Sequence, residues 1–123
     1  MGLLSVAPAS LAEPFLVHPD ARGVQRVEVS LDSYSYAPDH LVVEAGRPVV
    51  LILRNTAFLV PHNLVLADPQ AGFRVRQEVA AGDSARVLFT PRKTGVFTFY
   101  CDKKLLFLPS HREQGMEGRL EVR

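Results

Sequence analysis

Between residues 23 and 31, Val27, Val29 and Leu31 alternate with Arg26, Glu28 and Ser30. That is the period-2 pattern of a strand with one wet face. Residues 34–39 turn through Ala37-Pro38-Asp39, and a short strand over 41–44 meets the Ala45-Gly46 turn. Residues 48–55 form a continuous apolar run, which predicts a central strand buried on both faces. The same reading predicts strands over 62–67, 73–80, 85–90, 95–101 and 118–122. They are separated by Asp68-Pro69, Ala81-Gly82-Asp83 and Pro91-Arg92. Only the stretch between Cys101 and Met116 leaves room for helical periodicity. Many short strands with frequent Gly and Pro turns argue for an all-β chain folded as an antiparallel sandwich or barrel.

Composition narrows the picture. The 123 residues suit one domain, and 47% apolar content can supply its core. A net charge of +1, with no dense Lys/Arg run, gives nucleic acid no footprint. No apolar stretch is long enough to cross a bilayer. Leu3 to Ala12 reads LLSVAPASLA, with small residues at Ser10 and Ala12. This marks residues 1–22 as a signal remnant or an N-terminal arm, ahead of a domain spanning 23–123. Cys101 is the only cysteine, so no intramolecular disulfide forms; in an exported chain its thiol should be buried or metal-bound.

Four residues carry candidate chemistry: His62, Cys101, His111 and Met116. Two imidazoles and a thiolate, with a weak axial thioether, are the ligand pattern of a type 1 copper electron-transfer site. Thiolate and imidazole also suit zinc. Strand parity supports the grouping. Phe97, Phe99 and Cys101 share one face; His62 shares a face with Leu64 and Leu66; Met116 has the inward parity of Gly118, Leu120 and Val122. His18 and His40 lie outside the set and read as exposed loop residues. Tyr34, Tyr36 and Tyr100 read as packing residues.

Pro61-His62-Asn63, Phe97-Thr98-Phe99-Tyr100-Cys101 and the segment from His111 to Gly118 together resemble the cupredoxins, in particular their plastocyanin-like branch. The resemblance runs from about Tyr36 to the C-terminus. It implies a Greek-key β-sandwich holding one copper ion through His62, Cys101, His111 and Met116. It also implies a hydrogen bond from the Asn63 backbone N–H to the Cys101 sulfur, which would tune the potential. One departure stands out. Nine residues, DKKLLFLPS, separate Cys101 from His111 where the family usually has only a few; the four-residue gap from His111 to Met116 is kept.

The function implied is non-enzymatic: a monomeric, exported or periplasmic carrier of single electrons. Its redox partners would dock near His111 and the Leu105 to Pro109 loop, with no nucleic acid and no membrane span. The alternative is a periplasmic copper-binding protein for trafficking or resistance. A catalytic copper cluster would need more histidines than His18 and His40 supply.

Overall fold

The alternating stretches form two facing sheets, seen in a computed structural model that describes residues 13–104 and 107–123. One sheet has six strands in the order β1 (Phe15–Leu16), β4 (His40–Val43), β10 (Glu117–Val122), β9 (Gly95–Tyr100), β6 (His62–Asp68), β7 (Phe73–Val79). The other has four, in the order β3 (Ser35–Ala37), β2 (Gln25–Asp32), β5 (Val49–Asn55), β8 (Ser84–Phe89). A single 3₁₀ turn, Pro69–Ala71, links β6 to β7. This is the predicted β-sandwich.

Three pairings are parallel: β1 with β4, β4 with β10, and β2 with β5. Parallel neighbours cannot be joined by a tight hairpin, so the chain must cross between sheets to make them. It does so between β1 and β2, β3 and β4, β4 and β5, β5 and β6, β7 and β8, and β8 and β9. The core lies where inward faces meet: Val27, Val29 and Leu31 from β2, Leu51 and Leu53 from β5, and Leu64, Phe73, Phe99 and Leu120 from the opposite sheet.

Strand β5 differs from its prediction. It is central, but only Val49, Leu51, Leu53 and Asn55 are buried; Val50 and Ile52 are half-buried and Arg54 is exposed. The outer face carries an ion pair from Arg54 to Glu28 on β2 (2.6 Å), so it meets water despite its aliphatic side chains. The stretch between Cys101 and Met116 forms successive turns, with no helix among its described residues.

Sequence and packing meet closely at Gly118. A Cβ there would collide with the Phe99 ring and lie 2.8 Å from the Asp39 carbonyl oxygen. Glycine at this point of β10 lets Phe99 fill the core from β9.

β2, β5, β7 and β9 all end at the same pole of the sandwich, and β3, β6, β8 and β10 begin there. Asp32 to Ser35, Asn55 to His62 and Cys101 to Glu117 are therefore neighbours. That pole gathers the candidate ligands.

Candidate metal centre

His62 is the first residue of β6, and its parity turns it inward with Leu64 and Leu66. Cys101 follows β9 in register with Phe99, and Met116 immediately precedes β10. Two backbone hydrogen bonds close the base between them: Cys101 N–H donates to the Met116 carbonyl (3.2 Å), and Met116 N–H to the His111 carbonyl (2.9 Å). The second bond, with Gly115 at φ 101°, folds the four-residue gap into a turn that carries both side chains inward.

The long Cys-to-His spacing is absorbed by another hydrogen bond. His111 N–H donates to the Lys103 carbonyl at 2.8 Å. Residues 104–110 thus leave and return at nearly the same place.

His62 Nδ1 lies 3.2 Å from His111 Nδ1, and Cys101 Sγ lies 3.4 Å from the same nitrogen. All three ligand atoms fall within 4.8 Å of one another. His62, Cys101 and His111 are buried, and Met116 is wholly buried in the adjoining core. Asn63 N–H points at Cys101 Sγ (3.4 Å). The Asn63 side chain donates to Asp102 Oδ1 (2.7 Å) and Glu78 Oε1 (3.2 Å), and its oxygen accepts from Asp102 N–H (3.1 Å). Each carboxylate meets a cation, Arg76 at 2.7 Å from Asp102 and Lys103 against Glu78. The Tyr36 hydroxyl donates to the Asn63 carbonyl at 2.7 Å.

Electrostatics follow from this burial. His62 is driven down to about 4 by desolvation, with the neighbouring His111 adding to it and Asp32 opposing. His111 is lowered by burial and then by Lys103. Both rings are neutral at physiological pH and can offer lone pairs. Burial pushes the Cys101 thiol up, while the Asn63 and Lys103 backbone N–H groups partly offset it. Arg76 and Asn63 hold Asp102 below the usual carboxylate range, and Lys103 does the same for Glu78.

These residues fit a metal ion. Donor atoms each about 2.0–2.3 Å from one ion stand roughly 3–4 Å apart; two of the three pairs here lie at 3.2 and 3.4 Å, and all fall within 4.8 Å. His62 Nε2 is buried with no hydrogen-bond partner, so no bond through its far nitrogen holds the ring. Thiolate, two imidazoles and a nearby thioether suit a single copper ion.

The cupredoxin-like domain model matches residues 3–115. The chain belongs to this family. No curated protein sequence matches it. Solved cupredoxin-like structures do, at low identity. The metal-binding domain of a Cu(I)-exporting P-type ATPase from Streptococcus pneumoniae D39 is 14% identical, with TM-score 0.69, 93% of this chain and 99% of that one covered. A dithionite-reduced auracyanin from Roseiflexus castenholzii is 19% identical, with TM-score 0.66 and coverage of 80% and 96%. Auracyanin A, a blue copper protein from Chloroflexus aurantiacus, is 21% identical, with TM-score 0.63 and coverage of 82% and 100%.

Elsewhere in this cupredoxin the expectations drawn from residue type fare unevenly. His18 is exposed as expected, but His40 opens β4 half-buried and meets Glu121 at 3.3 Å. Tyr36 is a core residue, whereas Tyr100 is half-buried under the Arg112 guanidinium, 4.1 Å from its ring centre. Phe107 and Leu108 are exposed; Leu105, Leu106 and residues 1–12 lie outside the described residues. Residues 15–16 pair with β4, and Val17 enters the core. Tyr34 packs as expected, but its partner, His111, which its ring meets edge-on with centroids 5.0 Å apart, was not foreseen. Sequence reasoning also missed the carboxylates gripping Asn63. Only the charges beside Cys101 hinted at them.

Proposed function

We propose that this cupredoxin is an electron carrier holding one copper ion through His62 Nδ1, Cys101 Sγ and His111 Nδ1, with Met116 as a weak axial donor. The observation that carries the reading is the convergence of those three donors in a buried, preformed pocket. Bound copper would supply a one-electron couple between Cu(I) and Cu(II). The protein's own part is to keep the donors in place while the charge changes. Asn63 N–H stabilises negative charge on the Cys101 sulfur, and the paired carboxylates fix Asn63. Neutral imidazoles need no deprotonation before they ligate.

The likeness in fold to a Cu(I)-exporting ATPase domain favours a second reading, copper as cargo. Two observations weigh against it. Every candidate ligand is buried, and among the described residues Met116 is the only methionine and Cys101 the only cysteine, so no soft donor lines a route out. Redox proteins would dock at the ligand pole, where Leu59, Leu108 and Pro109 border a cleft of about 310 Å³ with Lys103 and Lys104 at its edge. Exposed Phe58 and Phe107 extend this apolar surface. The carrier is non-enzymatic, monomeric and exported, a setting in which a buried, metal-bound thiol is protected from oxidation.

The test is a visible absorption spectrum after Cu(II) addition, before and after ascorbate. An intense thiolate-to-copper band that bleaches on reduction and returns on reoxidation supports the carrier. Absence of the band, or copper lost to a Cu(I) chelator as soon as it is reduced, defeats it.

A further inference from the structure

Tyr34 occupies an unusual place in the chain. It lies in the turn between β2 and β3 with φ +57°, the only non-glycine positive φ among the described residues. For a tyrosine the left-handed region costs roughly 1–2 kcal/mol and persists only where surrounding structure demands it. The reason is visible. That backbone turns the ring onto His111, edge to face, with centroids 5.0 Å apart and planes at 68°. Two clefts open at the pole, of about 290 and 310 Å³; His62 lines the first and His111 the second, while Tyr34, Leu59 and Val60 line both. Tyr34 thus stands between them together with Leu59 and Val60, and of the three it is the one whose ring packs on His111. His111 keeps only 6% exposure, yet that is the most of the four candidate ligands; His62 keeps 1%, Cys101 and Met116 none.

From this we infer that Tyr34 is a positioning and shielding residue for His111: its ring bars direct approach to the imidazole, so that partners exchange electrons across a layer of protein. Removing the ring would uncover His111 and widen the way between the two clefts, with Leu59 and Val60 left as their shared wall. Small outer-sphere reagents would then touch the ligands directly, and selection of partners by the shape of the pole would be lost. The inference rests on the copper reading for its redox consequence, but the shielding itself does not.

Two substitutions separate ring from fold. Tyr34→Phe keeps the ring and drops the hydroxyl. Tyr34→Gly drops the ring and suits the left-handed backbone better than tyrosine does, so the turn survives. In the copper-free proteins, carbethoxylation of His111 by diethylpyrocarbonate is followed by peptide mass spectrometry, with exposed His18 as internal reference. In the Cu(II) proteins, hexaammineruthenium(II) delivers one electron, becoming ruthenium(III), and bleaching of the blue band gives the rate.

Tyr34→Gly should raise both rates several-fold relative to wild type, with Tyr34→Phe unchanged. Equal rates in all three proteins would overturn the inference. So would a rise in Tyr34→Phe matching that in Tyr34→Gly, because the hydroxyl rather than the ring would then be responsible. No blue band in any protein, with the His111 modification difference intact, would defeat the copper reading and leave the shield standing.

Discussion

At the residue scale, Cys101 decides the chemistry. Its thiol is pushed up by burial and stays protonated at neutral pH until a metal displaces the proton. Copper binding at pH 7 should therefore release about one proton, since both imidazoles are already neutral. Titration calorimetry in buffers of different ionisation enthalpy measures it; release of two or more would contradict neutral histidines. Cys101→Ser should abolish the visible band. Met116→Leu should keep copper and raise the reduction potential, because the axial thioether that donates to Cu(II) is gone; voltammetry shows the direction. His62 sets an acid limit. With its folded-state proton affinity lowered to about 4, the unfolded chain binds the extra proton more readily. Copper-free protein should keep this contribution in full above about pH 6.5, the unperturbed histidine value, and lose it progressively down to about 4. Urea unfolding across that window tests the slope; the copper-loaded protein should show a steeper one, because bound metal keeps protons off both imidazoles and the thiolate in the folded state.

At the scale of elements, the β9–β10 pair carries the centre. Gly118→Ala forces a methyl against Phe99 and the Asp39 carbonyl. It should cost about 1–3 kcal/mol, as overpacking in a fitted core does, and shift the denaturant midpoint without changing m. Replacing residues 104–110 with a short Gly/Ser link should leave the blue band intact, because the His111–Lys103 hydrogen bond already closes that excursion. Loss of the band would show that the excursion itself shapes the site. These two elements also mark how much is legible from the chain alone. Strand parity places Phe99, Cys101, Met116 and Leu120 inward because a period of two needs no tertiary knowledge. Parallel pairing of β2 with β5, and of β4 with β10, is not legible, since register between strands far apart in sequence leaves no local trace. The wet outer face of β5 is hidden for a related reason: Val50 and Ile52 satisfy strand propensity as well as burial. Likewise the Lys103–His111 bond depends on how residues 104–110 loop out. Tyr34 reads as packing because nothing in residue type reveals a positive φ.

For the whole molecule, four converged donors should hold copper more tightly in the folded state than the same side chains do in the unfolded chain, so occupancy should show as stability. Free copper at about a thousand times the dissociation constant adds roughly 4 kcal/mol. Differential scanning fluorimetry with and without metal tests this, and Cys101→Ser should lose most of the gain. The exposed ion pairs carry the opposite expectation. Arg76 with Asp102 and Arg54 with Glu28 are half-exposed at 2.7 and 2.6 Å. Such pairs contribute about 0–1 kcal/mol and weaken in salt, so the core rather than the surface should set the melting temperature.

The closed base of the loop at Lys103 and His111 has a consequence for descent with change. Because the seven residues between them begin and end at one hydrogen bond, insertions or deletions there should leave the candidate ligands in place, and each doubling of their length costs only about 0.6 kcal/mol of closure entropy. The candidate ligands and the stretch proposed to meet a partner could therefore drift at different rates. A lineage could rewrite whom the protein meets while inheriting unaltered what it holds.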